Sequence, residues 1–234
     1  MREKIVGILG GMGPEATADL FVRIIRATPA KRDQDHLRVI IYSNSKVPDR
    51  TPAILGRGPS PLPELLRTGG VLEAAGADFI IIPCNTAHYY YDDLTRRLKI
   101  PILHMIRLAA EETRRKSTGI TRAGLLASDG TIASRLYHDA FGKAGIEIVT
   151  PPSSRQADVM KAIYQHIKAG DLEGGGSILH REAEELVGEG SEAVICGCTE
   201  VSLVLKQGDL EVPVIDPLQV LAEAAVAYAL GGRT

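Results

Sequence analysis

Two cysteines follow similar apolar stretches, one in each half of the chain. Residues 79–82 are Phe-Ile-Ile-Ile and lead to Cys84, and residues 193–195 are Ala-Val-Ile and lead to Cys198. Such runs are typical of buried parallel strands, and ligands bind at the carboxyl ends of those strands in open α/β sheets. A thiolate can remove a proton, a thiol can donate one, and a helix amino terminus lowers the pKa of a thiol. The two cysteines therefore predict acid–base chemistry.

An acid and a base on opposite faces of one carbon would invert a stereocentre, which is the reaction of a racemase or epimerase without a cofactor. For either cysteine alone, a small core residue would be the favoured interpretation, and this is what we expect of Cys196. The matched placement of Cys84 and Cys198 favours chemistry. A metal site is not expected, because structural zinc sites prefer cysteine pairs spaced C-x₂₋₄-C, and Cys196-x-Cys198 has no second pair beside it.

The glycine-rich turn at residues 10–14 follows the first apolar run of the chain. Its glycine spacing does not match G-x-G-x-x-G, the dinucleotide-binding pattern, and Pro14 has no backbone N–H to donate. We therefore expect a tight turn that brings backbone amides close to a small ligand.

Composition limits the class of protein. The chain has 234 residues, a formal net charge of −2 and 44% hydrophobic residues, which is typical of a globular protein with a sizeable core. The charge argues against nucleic acid or a membrane surface as a partner, since both require a basic patch. The apolar runs are too short to span a membrane. Three cysteines without the spacing of a disulfide framework favour a reducing cytoplasm.

Strand-like and helix-like segments alternate along the chain and then repeat in the same order. The offset is 114 residues between Cys84 and Cys198 and 112 between Pro101 and Pro213, which indicates an internal duplication. We therefore predict an α/β fold of two pseudo-symmetric parallel-sheet domains, with the active site in the cleft between them. The first domain is predicted to comprise residues 1–103 with 214–234, and the second residues 104–213.

The predicted elements follow from apolar periodicity and turn residues. Strands are expected at residues 4–9, 37–42, 78–82, 100–103, 122–127, 146–149, 193–198 and 212–216. Helices are expected at residues 16–27, 62–75, 87–98, 128–141, 158–169, 179–187 and 218–230. Residues 43–52 form a polar, proline-containing loop after a strand, which is a favoured place for a binding residue.

Four motifs together resemble the aspartate/glutamate racemase superfamily, and especially its aspartate racemase branch. They are Gly10-Gly11-Met12-Gly13-Pro14, Val47-Pro48-Asp49-Arg50-Thr51, Pro83-Cys84-Asn85-Thr86-Ala87-His88 and Gly197-Cys198-Thr199-Glu200. The motifs occur in the family order and span nearly the whole chain. The resemblance implies a pyridoxal-phosphate-independent racemase that interconverts L- and D-aspartate, with glutamate as a further substrate. It also implies a homodimer and no cofactor.

The resemblance assigns roles to individual residues. Cys84 and Cys198 match the paired acid/base residues, and Arg50 and Lys168 match residues that hold the distal carboxylate of the substrate. A guanidinium suits this role because it can bind a carboxylate through two parallel hydrogen bonds. The other matched positions surround the substrate α-carboxylate or line the pocket: Met12, Asn85, Thr86 and Thr199.

Several of these side chains have an alternative interpretation. Arg50 and Lys168 could be exposed surface cations, the usual location of such residues. Glu200 is expected either to orient the substrate ammonium group or to cap a helix. Ser128 and Thr131 are expected either to line the pocket or to cap the following helix. The histidines near the strand ends, His88 and His104, are expected to be structural.

Three functions remain compatible with the sequence. The first is racemisation of aspartate or glutamate. The second is another chemistry of the same superfamily, such as that of maleate isomerase, malonate decarboxylase or hydantoin racemase. The third is non-catalytic binding of a small anion by two α/β lobes. The two cysteines and the matches at Arg50 and Lys168 favour the first.

Overall fold

A computed structural model describes residues 3–117 and 119–232 and divides the chain into two compact units. One unit comprises the residues up to Leu108 and those from Leu218 onward, and the other comprises Ala109–Pro217. Each contains a parallel sheet with helices between successive strands. The predicted α/β fold with two parallel sheets is thereby confirmed.

The first unit has a three-stranded sheet of order β2-β1-β3. Its strands are β1 (Val6–Gly10), β2 (Val39–Ser43) and β3 (Phe79–Ile81). Its helices are α1 (Pro14–Ala27), α2 (Arg50–Ile54), α3 (Leu62–Ala74), α4 (Tyr91–Arg97), the start of α5 (Met105–Lys116) and nearly all of α11 (Pro217–Ala229), and it has 3-10 turns at Asp33–Asp35 and Thr86–Tyr90.

Both faces of β1 and β3 are buried, because alternate strand residues enter different apolar clusters, whereas the edge strand β2 is partly exposed. Ile8 and Ile81 pack with residues of α1 and α11, including Leu221. On the other face, Leu9 and Ile80 pack with residues of α3 and α4. The closing helix α11 therefore completes the core of the first unit although it is distant in sequence.

The second unit has a four-stranded sheet of order β5-β4-β6-β7. Its strands are β4 (Arg122–Leu126), β5 (Glu147–Val149), β6 (Ala193–Cys196) and β7 (Val214–Ile215). Its helices are the remainder of α5, α6 (Asp129–Ser134), α7 (Leu136–Lys143), α8 (Ser153–Lys161), α9 (Leu172–Gly188) and α10 (Val201–Val204), with a π segment at Ala162–His166 and a 3-10 turn at Ile167–Ala169.

The strand registers of the two sheets are equivalent. Gly7 pairs with Ile80, which forms an isolated parallel bridge to Ile102. In the other sheet, Gly124 pairs with Val194, which pairs with Val214. Counting from these central residues, Cys84 lies four positions beyond Ile80 and Cys198 four positions beyond Val194. The two cysteines therefore occupy equivalent positions in the two topologies.

Some predicted strand bounds are wrong. The strand expected at 193–198 ends at Cys196, because the N–H of Gly197, which makes the last ladder bond to the Leu126 carbonyl oxygen, also donates to the Ile195 carbonyl oxygen two residues back and so begins a turn. The strand expected at 100–103 is reduced to the single bridge at Ile102. Its proline, Pro101, has no N–H for a longer ladder.

Several predicted helices are interrupted or displaced. The one at 87–98 starts as a 3-10 turn, and the one at 128–141 breaks at Arg135, whose φ is 57°. The helix expected at 158–169 starts at Ser153 and passes through the π and 3-10 segments. Helix α9 begins at Leu172, earlier than predicted, because Asp171 caps it and accepts a hydrogen bond from the N–H of Gly174.

Candidate functional site

Cys84 lies in the loop after β3, with 3% of its surface exposed. Its N–H donates to the Ile82 carbonyl oxygen at 2.9 Å, which turns the chain sharply after the strand. Its Sγ is 3.4 Å from the Thr86 hydroxyl oxygen. That hydroxyl can donate to a thiolate or accept from a thiol, so the surroundings suit both protonation states. Asn85 and Thr86, the other predicted residues of this loop, are also buried.

A buried histidine lies behind Cys84. The Nδ1 atom of His88 is 2.9 Å from the Cys84 carbonyl oxygen, and the Nε2 atom accepts from the Met105 N–H at 3.2 Å. Its ring lies against that of His104 at a 47° tilt, with 4.9 Å between the centroids. The Nδ1 atom of His104 accepts from the Arg107 N–H and so caps α5. Burial, aided by the Arg107 charge, lowers the pKa of His88 to about 4. The same causes and the neighbouring histidine lower the pKa of His104 to about 2.

Arg50 and Met12 come together beside this loop. Arg50 is 7% exposed, and its guanidinium donates to the carbonyl oxygens of Pro48 at 3.2 Å and Met12 at 3.4 Å. The alternative that Arg50 is an exposed surface cation is therefore wrong. Met12 belongs to the same apolar cluster as Cys84. Arg50 begins α2 because Asp49 caps that helix and accepts from the Thr51 N–H.

Asn44, which the sequence did not single out, joins the glycine turn to the loop that carries Arg50. Its N–H donates to the Gly10 carbonyl oxygen at 3.2 Å. Its side chain donates to Glu64 at 2.6 Å and Thr68 at 2.9 Å. Gly11 packs so closely on the Asn44 backbone, at a φ of +92°, that a Cβ atom would lie 2.3 Å from the Asn44 carbonyl carbon. In the sequence, the only indication of this role of Asn44 is that an asparagine closely follows a predicted strand.

Cys198 lies two residues beyond β6 and is half-buried. Its thiol donates to Glu200 Oε2 at 2.8 Å, and the Thr199 hydroxyl donates to the same oxygen at 3.3 Å. Burial and the Glu200 carboxylate raise the pKa of Cys198 well above its usual range, while the Lys168 ammonium acts in the opposite direction. The Glu200 carboxylate thus contacts the thiol and does not cap a helix, so that alternative for Glu200 is wrong.

Lys168 is brought to Glu200 by an irregular stretch of chain. Helix α8 gives way to the π segment and then to the 3-10 turn that contains Lys168, and Gly170 ends this turn with a φ of +93°. The Lys168 ammonium is 3.4 Å from Glu200 Oε1 and 4.9 Å from the centroid of the Tyr164 ring. π segments occur frequently at functional sites, and this one places a cation beside the cysteine–carboxylate pair.

Ser128 and Thr131 lie at the start of α6, after β4. Both are buried, and their hydroxyl oxygens are 3.3 Å apart. Tyr137, which the sequence did not single out, is fully buried on α7. Burial raises the pKa of Tyr137 well above its usual range, and the neighbouring Cys196, Asp216 and Cys198 act in the same direction. Tyr137 therefore remains a neutral phenol near Cys198.

The predicted residues form one group in each unit. The first unit brings together Met12, Arg50, Cys84, Asn85 and Thr86. The second brings together Lys168, Cys198, Thr199 and Glu200, with Ser128 and Thr131 paired at α6. Among residues 3–117 and 119–232, no three histidine, cysteine or acidic side chains are grouped so as to hold a metal ion. Within the same ranges, every helix is too short or too polar to cross a membrane.

Comparison with known proteins connects these groups to a family. The family model described as "Asp/Glu/Hydantoin racemase" matches residues 9–225. The Bacillus subtilis protein described as a broad specificity amino-acid racemase, RacX, is 28% identical over 97% of this chain and 98% of its own length.

Two solved structures resemble the whole chain. The Picrophilus torridus aspartate racemase is 31% identical with a TM-score of 0.87, and the match covers 98% of this chain and 95% of that one. An aspartate racemase homologue from Pyrococcus horikoshii is 30% identical with a TM-score of 0.78, over 97% and 99% of the two chains. With the family model covering nearly all of both units, the chain belongs to the Asp/Glu/Hydantoin racemase family.

Proposed function

We propose that the protein is an amino-acid racemase that works without pyridoxal phosphate and interconverts L- and D-aspartate, with glutamate as a further substrate. The observation that carries this proposal is the equivalent position of Cys84 and Cys198, each four residues beyond a matching strand residue, Ile80 of β3 and Val194 of β6. A duplicated thiol provides what inversion of a stereocentre needs, namely a base for one face and an acid for the other.

In the proposed reaction, one cysteine thiolate takes the α-proton of the amino acid and becomes a thiol. The electron pair of the broken C–H bond passes into the α-carboxylate, giving an enolate-like intermediate. The other thiol then donates its proton to the opposite face and becomes a thiolate, so the reverse reaction can follow. Hydrogen-bond donors near Asn85, Thr86 and Thr199 are proposed to stabilise the charge on the carboxylate oxygens.

The two thiols differ in their partners, and this suggests their resting states. Cys198 donates a 2.8 Å hydrogen bond to the Glu200 carboxylate, which requires a protonated sulfur. Cys84 has the Thr86 hydroxyl at 3.4 Å, and a hydroxyl can stabilise a thiolate as a donor. We propose that the ligand-free enzyme has Cys198 as the acid and Cys84 as the base.

The proposal that the substrate is a dicarboxylic amino acid, aspartate or glutamate, rests on two cations. Arg50 is buried and fixed by two backbone carbonyl groups, so its guanidinium is pre-oriented. Lys168 lies beside Cys198 through its contact with Glu200. A dicarboxylic substrate would supply the negative charge that two cations next to the reacting centre can bind.

A broader substrate range is the second candidate. Lys168 is already 3.4 Å from Glu200, so its charge is partly compensated before a substrate binds. The relative from Bacillus subtilis is described as having broad specificity. A panel of amino-acid enantiomers that extends from aspartate and glutamate to neutral and basic side chains would distinguish the two candidates.

The decisive experiment incubates the purified protein with each enantiomer of aspartate and glutamate, with no cofactor added, followed by chiral chromatography. Cys84→Ser and Cys198→Ser are each expected to lower racemisation by about 10²–10⁴-fold, the usual contribution of a positioned acid or base. Cys196→Ala is the matched control, because Cys196 is a third thiol that is fully buried in β6. It should retain activity.

Deuterated water tests the two-base route directly. Early product from either enantiomer should carry deuterium at the α-carbon, while recovered substrate should not. A single base that serves both faces would return the original proton to part of the product. Binding of these amino acids without turnover would instead support the non-catalytic alternative, and turnover of maleate, malonates or hydantoins alone would support the other chemistries of the family.

We also propose a cytoplasmic homodimer. All three cysteines are free thiols, which suits a reducing compartment. Light scattering on the purified protein would give twice the mass of 25.1 kDa for a dimer.

A further inference from the structure

The Cys84 carbonyl group is fixed by a histidine in a defined tautomer. The carbonyl oxygen can only accept, so the Nδ1 atom of His88, 2.9 Å away, must carry a proton. The Met105 N–H can only donate, so the Nε2 atom must be unprotonated. Both ring nitrogens are thereby satisfied by backbone groups, one in the Cys84 loop and one at the first residue of α5.

The surroundings of His88 hold it in this neutral form. The ring is fully buried and its centroid lies 4.9 Å from that of the tilted His104 ring, and burial with the Arg107 charge outweighs the carbonyl groups of Cys84, Leu103 and Asn85, which favour a proton. The amino terminus of α5 also carries partial positive charge, which disfavours a second proton on the ring. A protonated ring would in addition place an N–H against the Met105 N–H.

From these contacts we infer that His88 is a positioning residue for Cys84, holding the Cys84 carbonyl through Nδ1–H and thereby setting the orientation of the thiol. The effect extends to the next residue, because the C=O and N–H of a trans peptide point in opposite directions. With the Cys84 carbonyl directed at His88, the Asn85 N–H is directed away from it. The inference rests on the proposed role of Cys84, but its test does not depend on racemase activity.

Two substitutions separate the two bonds of His88. In His88→Asn, the side-chain amide can take the place of Nδ1 and donate to the Cys84 carbonyl, but it cannot reach Met105. In His88→Gln, the amide oxygen can take the place of Nε2 and accept from the Met105 N–H, while the donor at Nδ1 is lost. His104→Asn is the control, because the His104 ring contacts that of His88 but bonds to Arg107 and not to Cys84.

The primary measurement is the rate of alkylation by iodoacetamide at Cys84 and Cys198 in the same molecules, resolved by peptide mass spectrometry. His88→Gln should change the rate at Cys84 several-fold and leave Cys198 unchanged, whereas His88→Asn and His104→Asn should match the native protein at both sites. In the racemase assay, His88→Gln should lower kcat by about 10–100-fold with little change in KM, as expected of a misplaced reacting group.

A purely structural role of His88 would lower the melting temperature of the Asn and Gln variants alike and would leave Cys84 alkylation the same in both, which would overturn the inference. If His88→Gln fails to fold, His88→Asn decides the question. If Cys84 in His88→Asn is alkylated at the rate of the native protein, the inference is supported. If the rate differs, the inference is overturned. Absence of racemisation in the native protein would contradict the proposed function, while the alkylation comparison would still test His88.

Discussion

At the scale of single residues, the two proposed acid–base groups have different neighbours despite their equivalent positions. The sulfur of Cys84 has a hydroxyl group beside it, and the sulfur of Cys198 has a carboxylate. A neighbouring negative charge disfavours a thiolate, and a neighbouring cation favours it. Glu200 and Lys168 therefore act on Cys198 in opposite directions.

Substitutions of Glu200 and Lys168 should shift the pKa of the Cys198 thiol in opposite directions. Glu200→Gln removes the negative charge and should lower the pKa of Cys198, so that alkylation of Cys198 becomes faster at a given pH. Lys168→Met removes the opposing cation and should raise the pKa further, so that alkylation becomes slower. The pH dependence of Cys198 alkylation measures both effects, and Cys84 in the same sample is the control. Shifts of the same sign in both variants would contradict this arrangement.

Arg50 provides the second test at this scale. Arg50→Lys keeps the positive charge but cannot reproduce the planar fork that contacts Pro48 and Met12. A hydrogen bond to a charged group contributes about 1.5–3 kcal/mol, so loss of one such bond to the substrate carboxylate should lower kcat/KM for aspartate by roughly 10-fold to 150-fold. Arg57→Ala, an exposed arginine just beyond the same helix, should leave kcat/KM unchanged. If the aspartate kinetics are unaltered in Arg50→Lys, Arg50 does not bind the substrate through its guanidinium fork.

At the scale of elements, the glycine turn after β1 and the loop after β2 are held together by close backbone packing. Gly11 has a positive φ and lies against the backbone of Asn44, whereas Gly56 has a φ of +72° with open space around it. Comparison of the two glycines therefore separates backbone strain from steric overlap.

Gly56→Ala should cost roughly 1 kcal/mol of unfolding free energy, the usual cost of a left-handed conformation for a residue with a Cβ atom. Gly11→Ala should cost more, because the added Cβ atom would also overlap with the Asn44 backbone. It should lower kcat/KM as well, since the turn carries Met12, whose carbonyl group holds Arg50. Urea denaturation and racemase kinetics provide the two measurements. Equal stability losses in the two variants would show that the packing at Gly11 is adaptable.

Periodicity in the sequence predicted the elements with continuous apolar patterns well. The strands β1 and β3, the helices α1 and α3, and the closing helix α11 all lie within two residues of the expected bounds. The predicted bounds are wrong where the local residue preferences oppose the structure that the tertiary contacts impose. Three successive glycines at residues 174–176 disfavour a helix, yet α9 includes them because Gly175 packs against Ile167 and Asp171 caps the helix.

The candidate site was predictable only in part. The cysteines and Arg50 lie in recognisable motifs, but the contact between Lys168 and Glu200 depends on the π segment, which no local pattern indicates. Asn44, His88 and Tyr137 act through long-range contacts with backbone groups or buried neighbours. Such contacts depend on how distant segments pack, and a single sequence does not encode them in its periodicity.

At the scale of the whole molecule, the buried neutral histidines link stability to pH. The pKa values of His88 and His104 lie below the ordinary value of 6.5, so the unfolded chain binds protons that the folded chain does not. Their contribution to stability is complete above pH 6.5 and is lost as the pH falls toward the folded value, about 4 for His88.

The free energy of unfolding should therefore fall between pH 6.5 and 5, with a slope of at most about 1.4 kcal/mol per pH unit for each histidine. Urea denaturation at a series of pH values measures the slope. His88→Asn removes one of the two titrating groups and should therefore reduce the slope by the contribution of one histidine. An equal slope in the native protein and this variant would show that His88 is not held neutral by the fold.

The different partners of Cys84 and Cys198 also limit the kinetics through the overall equilibrium. The two enantiomers of an amino acid have equal free energy in an achiral solvent, so the equilibrium constant is one and kcat/KM must be equal in the two directions. The difference between the two cysteine environments can therefore distinguish the enantiomers only by changing kcat and KM by the same factor. If the proposed racemisation occurs, the enantiomer that saturates the enzyme at lower concentration must be the one converted more slowly.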